Sequence, residues 1–257
     1  MFDEILKLKE VLLRQVIAVF AAACGFFFLG PAQAVIFGQS IMVPVVAPYN
    51  SFAAAFLYHM QSNLLPNDVV LVALGPLSAF NTQIGLAFLL AFLFTFPYLL
   101  YEVVKYLSPA LHGSERRALF LVLLPAVMLF GSGCFFAWKF VIPSTLSALY
   151  AYTAVAGIVP YFSIDAFVST VVMFMFATGI FFLLPIFMVM LTSLNIIPAT
   201  FWRQNWRHAV LTFVILSAII TPDGTGITMM LLAGPLGGLY AIGAGIASIQ
   251  RTSHHIQ

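Results

Sequence analysis

The chain has 257 residues, of which 63% are hydrophobic and only 7% charged, and its net charge is +2. A soluble domain carries about a quarter charged residues. So few cannot cover a water-facing surface, and so small a net charge does not suit a nucleic-acid partner, so a polytopic membrane protein is expected, with the lipid bilayer as its solvent.

The N-terminus carries mixed charge (Asp3, Glu4, Lys7, Lys9, Glu10, Arg14) ahead of an apolar run that begins near Val16. That run is too long for the roughly 7–15-residue apolar core of a secretory signal. A span needs about 20 apolar residues to cross about 30 Å of hydrocarbon, and the first is expected near 15–36. Residues 38–67 then hold Gly38, Gln39, Ser40, Pro44, Pro48, Asn50, Ser51, His59, Gln61, Ser62, Asn63 and Pro66. Polar atoms at that density are costly in lipid, which makes 40–66 an external segment. Within it, Phe52, Phe56 and Met60 recur at i, i+4 and i+8, the pattern of an interfacial helix at 50–64.

Further helices are expected near 79–104, 118–141, 166–193, 208–221 and 227–249. They must be helical because lipid offers no partner to a free amide. The runs are apolar on all faces, without the period-two alternation of a membrane β-barrel. Pro97, Pro125 and Pro185 fall inside spans two, three and four as tolerated kinks. Cys24 and Cys134 sit in apolar runs, pack as small hydrophobes and form no disulfide framework. The fifth apolar stretch, Ala209–Ile220, has 12 residues, about 18 Å of helix. A span that short thins the bilayer locally or draws headgroups inward.

Charge sets the orientation. Six spans put Lys7, Lys9, Arg14, Lys105, Arg116, Arg117, Arg203, Arg207 and Arg251 on one side, nine of the ten basic residues. That side is expected to be cytoplasmic. Lys139 alone lies near the other face, with Asp68, Asp165 and Asp223 outside. The expected fold is therefore all-α: a single integral membrane domain over 1–257, six transmembrane helices, cytoplasmic N- and C-termini, and a short fifth helix.

Chemical motifs are read mostly by absence. No Walker loop, zinc spacing or Ser-His-Asp arrangement is present. The five histidines fall in loops, at helix ends or in the tail. Glu102 and Lys105 sit at the cytoplasmic end of helix two, which leaves no ionisable group at mid-depth for a proton relay. No inverted repeat of the transporter kind is visible. These absences argue against an ion-coupled transporter and an intramembrane hydrolase; a small-solute transporter and a membrane assembly scaffold stay open, while catalytic residues, metal ligands and cofactors are not expected. Polar residues gather instead on the cytoplasmic face, in the amphipathic stretch 6–14 and in the loop 106–117. There Pro109 fixes a turn, and Glu115 opens helix three, where a carboxylate suits the helix dipole.

At this loop the sequence resembles the TatC family, the polytopic core of the twin-arginine protein translocase. Residues 78–117, from Ser78-Ala79-Phe80-Asn81-Thr82 to Ser114-Glu115-Arg116-Arg117, match the family's second helix and first cytoplasmic loop. Phe80, Pro97, Tyr101, Ser108-Pro109-Ala110-Leu111 and Glu115-Arg116-Arg117 carry that match. Ile220-Thr221-Pro222-Asp223, Leu231-Leu232-Ala233-Gly234-Pro235 and Leu239-Tyr240 carry a second, and Leu8-Lys9 leading to Leu12-Leu13 a third, weaker one.

The resemblance implies recognition of twin-arginine signal peptides and export of folded proteins, driven by the proton-motive force, from the cytoplasmic (inner) membrane. It implies small single-span partner subunits (TatA/TatB type), a homo- or hetero-oligomer and no catalysed reaction. The implied signal-peptide residues are Glu115, Arg116, Tyr106, Lys9 and Glu10, with Pro109, Pro222 and Asp223 in structural or functional loops. The chain departs from the pattern where the family's N-terminal glutamate is Lys7, where a common helix-four glutamate is Leu183, and where a lysine at the start of helix two is Gly85. Glu10 lies three residues beyond Lys7 on the same helix face, so it can take the missing acid's part, or merely pair with Lys7.

Overall fold

The computed structural model describes residues 2–36, 39–47, 49–65, 69–107, 113–155, 157, 161–194, 196–221 and 226–254, without the side chains of 2–8, 32–36, 39–42, 107, 113–121, 154 and 250–254. The chain divides into two compact units, Met1–Tyr106 with Ala156–Met173, and Leu107–Val155 with Phe174–Gln257.

In the first unit, helix α1 runs unbroken from Phe2 to Phe28. It ends eight residues earlier than expected: Leu29–Ile36 (β1) and Gln39–Val46 (β2) form an antiparallel hairpin, with Leu29 opposite Val46 and Pro31 opposite Pro44. The cause is local. Gly30 and Pro31 interrupt the helix, since proline has no N–H to continue it. A Cβ at Gly30 would also collide with the Asn50 carbonyl, so the chain turns where only glycine fits. The expectation of an all-helical chain is corrected here, and again at a short parallel pairing of Val70–Val72 (β3) with Tyr161–Ser163 (β4).

The external helix is α2, Phe52–Leu64, opened by Ser51, whose hydroxyl accepts from the Ala54 N–H at 3.2 Å. Its buried face is Ala53, Met60 and Leu64, while Phe52 and Phe56 are half-buried. Met60 is on the expected face, but Ala53 and Leu64 complete the buried one in place of Phe52 and Phe56. Helix α3, Ser78–Leu107, is joined to this segment by Gln83, which donates to the Ser51 hydroxyl at 2.6 Å. Thr82 donates to Asp165 at 3.2 Å, tying α3 to the start of α6, Ile164–Phe182.

In the second unit, α4 (Gly113–Phe136) runs through a π-helical turn, Ala137–Val141, into α5 (Ile142–Val155). The third span was expected to stop at 141 with Lys139 at its end, but Lys139 instead lies inside a continuous helix. Pro143 explains the turn. A proline ring clashes with the carbonyl four residues back, here that of Lys139, and widening the turn relieves it: the Ile142 N–H reaches back five residues to Ala137. The fourth span breaks at Leu183, just before Pro185 opens α7, Leu184–Ser193. Glycines let α4 and α6 approach. A Cβ on Gly133 would lie 2.8 Å from the Thr178 carbonyl oxygen, and one on Gly179 would lie 2.6 Å from the Phe130 ring. Such small-residue contacts are how helices pack where lipid supplies no hydrophobic drive. Helices α8 (Ala199–Gln204), α9 (Trp206–Ile220) and α10 (Ile227–His254) complete the unit.

Among the described residues, Lys9–Phe28, Ser78–Tyr106, Val122–Thr153, Ile164–Ser193 and Ile227–Ile249 are long and apolar enough to cross a membrane. Helix α9 is the shorter apolar helix, with 15 residues, about 22 Å at 1.5 Å per residue.

Candidate functional site at one end of the first and third helices

Helices α1 and α3 lie antiparallel. Phe27 packs edge-on against Phe80, with ring centroids 5.8 Å apart, and Phe20 lies 6.5 Å from Phe88. Arg14 meets Glu102 further along the same seam. As numbers fall on α1 they rise on α3, so the N-terminus of α1 and the C-terminus of α3 share one end.

That end is closed by a polar clamp. The Arg14 guanidinium donates from Nη1 to Oε1 of Glu102 at 3.2 Å, and the Tyr98 hydroxyl donates to the same oxygen at 3.2 Å. Gln15 adds a long 3.5 Å contact to the Tyr98 carbonyl, and its own buried Oε1 has no partner. The Glu102 side chain is only 4% exposed, whereas that of Arg14 is 50% exposed. A carboxylate buried to that degree is retained only with a partner, and the cation reaching it from α1 locks the two helices in register. It is the single ion pair among the described residues.

The clamp places three of the expected site residues. Glu10 is one turn outward from Arg14, and Tyr106 one turn outward from Glu102, since residues four apart share a helix face. Lys9 and Glu10 are exposed and Tyr106 is half-buried, so all three belong to the same end of the α1–α3 pair. Glu115 and Arg116 have their backbone in the first turn of α4, with side chains outside the described residues, as is that of Lys7. Pro109, Pro222 and Asp223 lie outside the described residues altogether.

The clamp itself is not among the residues expected from the sequence. Arg14 counted only as a topology charge and Glu102 only as a helix-end charge. The available signal was a lone acid at the foot of an uncharged run, 69–101: so apolar a helix seldom carries an acid that lacks a basic partner. No cluster of three or more His, Cys, Asp or Glu side chains able to hold a metal occurs among the described residues.

Long apolar helices with few charges inside them define a polytopic helical membrane protein. The profile of the Sec-independent protein translocase protein (TatC) family matches residues 3–235. A TatC of Cenarchaeum symbiosum is 37% identical over 236 residues, covering 92% of this chain and 88% of the relative. The chloroplastic protein of Arabidopsis thaliana is 29% identical over 244 residues, and the match spans 95% of this chain and 64% of that longer relative. A crystal structure described as the twin arginine translocase receptor TatC superposes with a TM-score of 0.75 at 25% identity, over 96% of this chain and 98% of that one. The chain belongs to the TatC family, and its general role is that of a multi-pass membrane component of twin-arginine protein translocation.

Proposed function

We propose that this chain is the receptor subunit of a twin-arginine translocase, binding twin-arginine signal peptides on the cytoplasmic side and passing folded proteins across the inner membrane at the expense of the proton-motive force. The observation that carries the reading is the Arg14–Glu102 clamp, which holds Lys9, Glu10 and Tyr106 together at one end of α1 and α3. Read as six spans, the sequence puts nine of the ten basic residues on the side of Lys9 and Arg14, the asymmetry of a cytoplasmic face. A diarginine ligand calls for carboxylates in bidentate geometry. Glu115 opens α4 as one such acid, and Glu10 supplies the second where the family's usual N-terminal glutamate is Lys7. In this reading α9 is the short fifth of six crossings, the chain works as one integral domain, and small single-span subunits pack against its helices.

The test is transport by inverted membrane vesicles that hold this chain and its single-span partners. A folded passenger with a twin-arginine signal should enter. Entry should stop when the pair is changed to two lysines, or when the proton gradient is collapsed. Entry that persists after both changes contradicts the proposal.

A further inference from the structure

The short fifth helix leaves a recess that the translocase role does not use. Helix α9 has 15 residues, about 22 Å, while the apolar part of α10, Ile227–Ile249, has 23, about 34 Å. The two are joined at Thr221–Gly226, so the shortfall falls at the start of α9. There the Tyr240 hydroxyl donates to the Trp202 carbonyl at 2.6 Å, and its ring lies 6.3 Å from that of Trp202 and 5.9 Å from Phe213. These contacts fix α8 and the first turns of α9 beside Gly237–Ala244, several residues short of the end of the apolar stretch at Ile249.

A cavity of about 300 Å³ opens at that level, lined by Trp202, Arg203, Trp206, Tyr240 and the small-residue face of α10 at Gly237 and Ala244. Its volume is at the lower end of the range for small-ligand sites, about 300–1,000 Å³. Arg203 borders it, and the Arg207 guanidinium lies 5.7 Å from the centre of the Trp206 ring. Both arginines are exposed, and among the described residues neither has a carboxylate partner. A cation at a depth where the neighbouring helix is still apolar is costly unless something anionic meets it. Tryptophan and tyrosine beside it are the side chains that favour the headgroup level.

We propose that this recess binds the phosphate-bearing headgroup of an anionic phospholipid, drawn inward past the ordinary headgroup plane to Arg203 and Arg207 and flanked by Trp202 and Trp206. The occupant follows from the charge and from the missing length. A basic pocket between membrane helices suits an anionic headgroup, and a span shorter than the bilayer brings headgroups down to meet it. None of these residues belongs to the proposed signal-peptide site at the end of α1 and α3, so the lipid site stands or falls apart from the receptor reading.

The test uses the full chain carrying Trp138→Phe, so that Trp202 and Trp206 alone fluoresce, reconstituted in phosphatidylcholine vesicles. Phosphatidylglycerol with brominated chains should quench the two tryptophans at least about two-fold more than the same mole fraction of brominated phosphatidylcholine. The excess should vanish in Arg203→Gln with Arg207→Gln, and fall in the unsubstituted arginine background at molar salt, where charge attraction is screened. If the double variant fails to insert, Arg203→Lys with Arg207→Lys and the salt series decide. Equal quenching by the two lipids, or an excess indifferent to both salt and arginine removal, overturns the proposal.

Discussion

Arg14→Gln should destabilise the protein more than Glu102→Gln, although Glu102 is the buried partner. The asymmetry comes from where each group goes when its partner is lost. Glutamine at 102 keeps the shape of the side chain and an oxygen for the Tyr98 hydroxyl, and Arg14, 50% exposed, returns to water. Removing the arginine instead strands a carboxylate that is 4% exposed, with only the Tyr98 hydroxyl still donating to it. A buried acceptor stripped of its partner costs about 1–3 kcal/mol, and the surviving tyrosine bond places the Glu102 cost in the lower half of that range. The double variant Arg14→Gln/Glu102→Gln removes the stranded charge and should recover most of the loss, a non-additivity of the size seen for residues in contact, about 0.5–3 kcal/mol. Reversible unfolding of the full chain in detergent micelles measures all three. A larger loss for Glu102→Gln than for Arg14→Gln, or losses that simply add in the double variant, would refute the clamp.

Three further outcomes follow from the same structure. Glu10→Gln should weaken binding of a twin-arginine signal peptide while Lys7→Gln leaves it equal or tighter; normal binding by the first with weaker binding by the second removes Glu10 from the site. Gly133→Val should cost about 1–3 kcal/mol, the usual penalty for overpacking, because its Cβ would lie 2.8 Å from the Thr178 carbonyl oxygen and 2.9 Å from Phe182; Gly131→Val, where no atom lies within 4 Å, should unfold like the parent in the same assay. A single cysteine placed at Ser114 should react with a membrane-impermeant thiol reagent only after the membrane is opened, and labelling from outside intact cells would invert the proposed orientation.

Much of the helical layout was legible because lipid turns composition into structure. Uncharged runs of sufficient length mark the long helices, and the shortness of the fifth is visible in twelve residues, Ala209–Ile220. What composition hides is the effect of single residues on the backbone. Residues 29–36 are as apolar as the helix before them, yet Gly30 and Pro31 turn them into a strand. Lys139 reads as a terminus, yet Pro143 is accommodated by a π-helical turn and the helix runs on to Val155. The candidate site was half legible. Lys9, Glu10 and Tyr106 were singled out by their place in the chain, whereas the Arg14–Glu102 pair joins residues 88 positions apart. Only the antiparallel register of two helices brings that pair together.

The proposal that most needs testing is that a twin-arginine signal peptide contacts both Lys9 and Glu115. A photoreactive amino acid placed in turn at Lys9, at Glu115 and at the almost fully exposed Tyr49 tests it directly, with a labelled signal peptide added to membranes in the dark and then irradiated. The account predicts adducts from Lys9 and Glu115 with the twin-arginine peptide, none with its twin-lysine counterpart, and none from Tyr49. Adducts from Tyr49 alone, or equal yields with both peptides from every position, would contradict it.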